Sequence, residues 1–113
     1  MSKSDRRELY NRLLILIAHL LKWEYQYYIL SERWQDFDGR SWQRTIIEQR
    51  KRIVVLFRQS PGLKAVVDEV IAEVYPDAVD LASDETRLPI TTFPTTCSYT
   101  LEQLLDKTFY PQQ

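Results

Sequence analysis

The residues "LYNRLLILIAHLLKWEYQYY" at positions 9–28 decide the fold. Leu9, Leu13, Leu16, Leu20, Trp23 and Tyr27 recur at alternating steps of four and three, which places them on one stripe of an α-helix; Ile17, Leu21 and Tyr28 widen it. The pattern predicts a first helix over about residues 4–30. Its apolar face is too broad for one neighbouring helix to cover, so it belongs at the centre of a bundle or against another chain. The apolar run "LLILIAHLL" at 13–21 is about half of the ~20 residues that a bilayer span requires, and it contains a histidine, so no membrane span is expected.

Outward from that helix, residues 31–41 lose the periodicity and gather Ser, Asp and Gly, which marks a connection. Ser41 is the expected N-cap of a second helix reaching about Gln59, with Trp42, Ile46, Gln49, Ile53, Leu56 and Phe57 turned inward. In "SPG" at 60–62, Ser60 reads as the cap and Pro61 as the first residue of a third helix, where its missing N–H costs nothing. Leu63, Val66, Val67, Val70, Ile71 and Val74 form its apolar face; Pro76 predicts a kink or restart before the helix runs on to about Glu85. "RLPITTFPTTCSY" at 87–99 predicts an extended strap held on the bundle by Ile90 and Phe93. Thr100 and Gln103 have capping-box spacing before a short helix at 101–106. The expected fold is all-α: one domain over 1–113, a small bundle of about four to five helices with an extended C-terminal strap.

With 113 residues, one core is expected, and two glycines leave few tight turns. Cys97 is the only cysteine, so no internal disulfide is possible and a cytoplasmic location follows; the charged start "MSKSDRREL" does not resemble a signal peptide. The net charge of −1 conceals a separation: residues 1–64 hold 13 Lys and Arg against 7 Asp and Glu, residues 65–113 hold 2 against 9. Such halves either meet each other, within the fold or between subunits, or leave the basic half to attract a polyanion. The first is the preferred reading.

Candidate chemistry is sparse. His19, the single histidine, together with Glu48, Gln49 and Arg50 makes the one conceivable catalytic group, but a core histidine and a paired buried Gln49 is the preferred reading. Arg44, Lys51 and Arg58 recur every seven residues on the second helix, about 10 Å apart, a line able to follow phosphates or simply to face solvent. Cys97 reads as a packed side chain rather than a nucleophile. The aromatic group Trp23, Tyr25, Tyr27, Tyr28, Trp34, Phe37 and Trp42 reads as an end cap of the bundle before an interface. One His and one Cys offer no zinc ligand set, and two separated glycines offer no phosphate cradle, so neither a metal nor another cofactor is expected.

Several strings occur together in a familiar order: "HLLKWEYQ" (19–26), "SWQRTIIEQRKRI" (41–53), "SPGLK" (60–64), "ETRLPITTFPTTCSYTLEQLLD" (85–106) and the closing "FYP". The combination resembles the bacterial family catalogued as domain of unknown function 29, abundant in cyanobacteria, over nearly the whole chain. The resemblance implies a helical fold and brings no activity, substrate or cofactor with it. Members of that family generally carry an acidic helical segment ahead of the part that "SKSDRREL" resembles. Without it, the first helix is expected to leave Leu9, Leu13, Ile17 and Trp23 for a second copy or another protein to cover.

These readings favour a small non-enzymatic protein acting through association, as a homodimer or a complex subunit. Nucleic-acid binding by the basic half is the alternative. An unrecognised hydrolase or nuclease is a more distant one.

Overall fold

A computed structural model describes residues 2–33 and 39–112, without the side chains at 28, 29 and 31–33. Helix α1 spans Lys3–Arg33, α2 Arg40–Gln59, α3 Val67–Thr86 and α4 Leu101–Leu105, with short 3-10 turns at Pro61–Ala65 and Ile90–Thr92. At 1.5 Å per residue the 31 residues of α1 are about 46 Å long, which matches the longest dimension of the molecule, 46 Å. α2 and α3 pack along it, and α4 sits against α2. The all-α bundle expected from the periodicity is the fold observed.

Helix α1 is central because its stripe has two flanks. α2 and α3 each lie against it, and Leu9, Leu13, Leu16, Ile17 and Leu20 have no exposed surface. Leu9, Leu13, Ile17 and Trp23, expected at an interface, are therefore core: α2, α3 and the C-terminal segment of the same chain cover them. The broad face found its partners within the bundle. The two charged halves also meet there: Arg6 of α1 donates to Glu73 of α3 at 2.8 Å, Lys22 of α1 to Glu85 of α3 at 3.1 Å, and Tyr10 to Asp77.

The ends of the helices differ from expectation for identifiable reasons. α2 is preceded by Gly39 at the N-cap position rather than Ser41, in the left-handed region with φ 73°. The backbone comes so close to α1 there that an added Cβ would stand 2.9 Å from both Trp23 Cζ3 and Tyr27 Cε2, whose rings stack 4.3 Å apart. A glycine is what this entry to the helix requires. Ser60 does not cap with its side chain; its hydroxyl donates to Asp5 Oδ2 at 2.7 Å, and Pro61 opens a 3-10 turn instead of α3. α3 runs through Pro76 as a single helix. Pro76 and Ala72, whose carbonyl loses its N–H partner, are both exposed, so water can take the place of the missing bond.

Phe93 anchors the C-terminal strap, its ring 5.3 Å from Tyr25 in an edge-on contact, but Ile90 is 55% exposed and anchors nothing. The predicted capping box is present: Thr100 Oγ1 accepts from the Gln103 N–H, and Gln103 Oε1 accepts from the Thr100 N–H. Trp34, Phe37 and the Tyr28 side chain, part of the expected aromatic end cap, lie outside the described residues. Trp23, which stacks on Tyr27, also meets Tyr110, with ring centres 4.9 Å apart.

Candidate functional site

Helix α2 has two faces of different composition. Its inner face is apolar apart from Gln49 and Arg50, with Ile46, Ile53, Leu56 and Phe57 buried. On the outer side Arg44, Ile47, Lys51, Val54 and Arg58 follow one another at steps of three and four, all exposed. That spacing is the seven-residue period of a helix-packing seam. Ile47, Val54 and the adjacent Val55 are 45, 40 and 41% exposed; among the described residues Ile90 is the one other large aliphatic so open.

The seam borders a groove of about 540 Å³, whose walls are α2 and the segment at the end of α4. Ile47, Val54, Val55 and Leu105 supply apolar surface, Arg50, Lys51, Arg58 and Lys107 four cationic side chains, and no acidic residue lines it. Among the described residues neither Arg44, Lys51, Arg58 nor Lys107 has an ion-pair partner. On the other flank a smaller hollow of about 280 Å³ shares Lys51 and Val55 and includes Glu8.

Arg50 builds the second wall. Its Nε donates to the Leu104 carbonyl at 2.7 Å, and its Nη2 to the carbonyls of Gln103 at 3.2 Å and Phe109 at 2.8 Å. α4 has five residues, so its last carbonyls lack helical partners, and the planar guanidinium satisfies them together. Tyr110 lies with its ring centre 5.5 Å from the guanidinium carbon. Burial draws the Arg50 pKa down from its ordinary value, with Tyr110 and Asp106 opposing the shift. Arg50 Nη1 is buried with no hydrogen-bond partner.

The four residues considered for catalysis are not joined by any hydrogen bond. His19 Nδ1–H donates to the Ile15 carbonyl one turn earlier at 2.8 Å; burial, and then Lys22, hold its pKa below the usual histidine value. Glu48 is exposed and pairs with Arg52 at 2.9 Å. Gln49 is buried and accepts from Arg12 Nη1 at 3.5 Å, while Arg50 serves the C-terminal segment. The Thr45 hydroxyl donates to the Ser41 carbonyl, away from Gln49. The four side chains thus have four separate sets of partners among the described residues.

Elsewhere several half-buried and buried polar groups have partners within the chain. Tyr99 donates to Glu24 Oε1 at 2.8 Å, and burial first, then Glu24, raises its pKa. Tyr75 donates to the Pro94 carbonyl at 2.8 Å, and burial pushes its pKa up to about 12. The Cys97 thiol is also pushed up by burial, the opposite of what an activated nucleophile needs. Among the described residues no group of three or more His, Cys, Asp or Glu is placed to hold a metal ion, and no helix is long and apolar enough to cross a membrane.

Sequence reasoning identified Arg44, Lys51 and Arg58 as one line but missed the aliphatic side chains between them. The signal was the surplus in "TIIEQRKRIVVLF" at 45–57: Ile46, Ile53, Leu56 and Phe57 fill the inner face, leaving Ile47, Val54 and Val55 over. Lys107 could not be placed because no pattern in the strap says which helix it returns to.

No curated protein matches the chain, and no solved structure does. The model of one family, described as Domain of unknown function DUF29, matches residues 1–110, and the chain belongs to that family.

Proposed function

We propose that the protein acts by association in the cytoplasm, with the outer face of α2 as its contact surface. The observation that carries this reading is the alternation of cation and aliphatic along an exposed seven-residue repeat: Arg44, Ile47, Lys51, Val54, Arg58. Interfaces gain affinity by desolvating apolar side chains and gain register from charges around them, and this face offers both. A symmetric homodimer through α2 would set the cations Arg44, Lys51 and Arg58 against cations of the second copy, so a different protein fits better than a second copy.

The second reading is nucleic-acid binding, favoured by the four cations and absence of acids in the groove. The aliphatic floor counts against it, because phosphates draw nothing from Ile47 and Val54.

A photo-crosslinking residue at Val54, with one at exposed Ala72 of α3 as control, tests the reading in living cells. The expected result is a discrete protein adduct at Val54 that is absent at Ala72 and lost with Lys51→Glu. A nuclease-sensitive adduct would favour the second reading, and no difference between the two positions would remove the surface altogether.

A further inference from the structure

We infer that the partner is an acidic amphipathic helix, which lies along α2 in the groove between the Ile47–Val54 seam and the Leu105–Lys107 wall; the inference rests on association through this face. The repeat itself selects a helix. Positions three and four apart align along a single line, and a partner with the same period can seat its side chains between them over the whole length. From Arg44 to Arg58 the seam is roughly 21 Å long, so a helix of about four turns covers it. Among the described residues there is no strand whose edge could receive an extended peptide.

Charge selects the composition. Lys51 and Arg58 stand about 10 Å apart along one helix, with Val54 between them and Ile47 one turn before Lys51, and Lys107 adds a cation from the opposite wall. A partner that buries its own apolar stripe on Ile47, Val54 and Leu105 must bring carboxylates to both margins of that stripe. A basic helix would meet unpaired like charges on both sides of the groove. A second copy of this chain does not meet the requirement. The outer side of α3 is acidic, with Asp68, Glu69, Glu73, Asp77, Asp80, Asp84 and Glu85 exposed, but the apolar residues exposed among them are Ala72 and Pro76, too small a stripe to cover the seam.

The test uses the full chain and two synthetic peptides of about three heptads, each with leucine at the core positions and flanked by glutamate in one and lysine in the other. Amide shifts of the labelled protein are followed by NMR. The glutamate peptide is expected to saturate shifts at Ile47, Lys51, Val54, Val55, Arg58 and Lys107, with at least about tenfold preference over the lysine peptide, a difference of ~1.4 kcal/mol. The variant K51E/R58E, altered at exposed positions only, should reverse that preference, and added salt should weaken the acidic complex.

Equal binding of both peptides, or shifts centred elsewhere, would overturn the inference. So would a single-stranded oligonucleotide displacing the glutamate peptide at equal concentration, which would assign the face to nucleic acid. Shifts of these residues with protein concentration alone would assign it to a second copy. A protein adduct at Val54 in cells without binding of the glutamate peptide would overturn the acidic-helix inference while leaving association intact.

Discussion

Arg50 Nε lies 2.7 Å from the Leu104 carbonyl oxygen, so a side chain of α2 closes the end of α4. The same guanidinium reaches Phe109, beyond Lys107, and thereby fixes the wall of the groove to the helix that carries the seam. Hydrogen bonds from a charged donor to carbonyls away from water are stronger than neutral ones, and their loss leaves several acceptors unsatisfied.

Arg50→Met should therefore destabilise the fold by about 3 kcal/mol and free the C-terminal segment before the rest unfolds. Urea denaturation gives the first quantity and limited tryptic cleavage at Lys107 the second. Arg50→Lys should recover little, since one ammonium cannot reproduce a planar fork to three carbonyls. Wild-type stability with protected Lys107 in either variant would mean that apolar packing alone holds the segment.

Gly39→Ala combines two costs. The residue has φ 73°, and its new methyl group would stand 2.9 Å from Trp23 and Tyr27. Together these should lower stability by about 2 kcal/mol, read as a reduced denaturation midpoint, with a change in tryptophan emission as the stacked pair is displaced. An unchanged midpoint would show that the rings yield freely.

Arg87 is the opposite case. It ends α3 in the left-handed region, φ 62°, its N–H donating to the Ser83 carbonyl, without being glycine. Arg87→Gly relieves that conformation but adds freedom to the unfolded chain, so a net gain of about 0.5 kcal/mol is expected in thermal or urea denaturation.

Glycine and arginine at these two ends mark the limit of what the sequence discloses. The stripe from Leu9 to Trp23 specified a central helix, and Thr100 with Gln103 specified the last cap, because both depend on residues near in sequence. Coverage does not. Whether Leu13 meets α3 or a second chain depends on where α3 returns, and the reading placed an interface where the bundle has its core. Likewise Arg50 was read beside His19, Glu48 and Gln49 as part of a conceivable catalytic group, because its carbonyl partners lie more than fifty residues away. The line of Arg44, Lys51 and Arg58 was legible from its period, whereas the exposure of Ile47 and Val54 required knowing that four other apolar residues had already filled the inner face.

His19 gives a pH dependence with a defined sign. Burial and Lys22 lower its pKa in the folded protein, Glu85 opposing, while the unfolded chain keeps the ordinary value near 6.5. The folded state thus favours neutral imidazole: its contribution is fully present above pH 6.5 or so and is lost as pH falls toward the folded pKa. Stability measured by urea at pH 7.5 and 5.5 should be lower at 5.5, and His19→Gln should reduce that difference. NMR titration of the His19 ring should show a midpoint below that of a free histidine peptide; a midpoint above it would reverse the sign.

Leu13 and Val54 distinguish the two aliphatic stripes of the molecule. Leu13 is completely buried by neighbours in its own chain, so Leu13→Ala should leave a cavity and cost about 2–5 kcal/mol in a dilute monomer. Val54 keeps 40% of its surface in water, and Val54→Ala should change the stability of that monomer by less than about 0.5 kcal/mol. Binding should respond the other way. Val54→Ala removes apolar surface from the middle of the seam and should weaken the acidic peptide severalfold, whereas the fraction of Leu13→Ala that remains folded keeps the whole outer face. Equilibrium denaturation paired with the peptide titration separates these effects. A Val54→Ala variant that loses stability as Leu13→Ala does would show that the seam is covered in the free protein, and a groove already filled could not receive a helix.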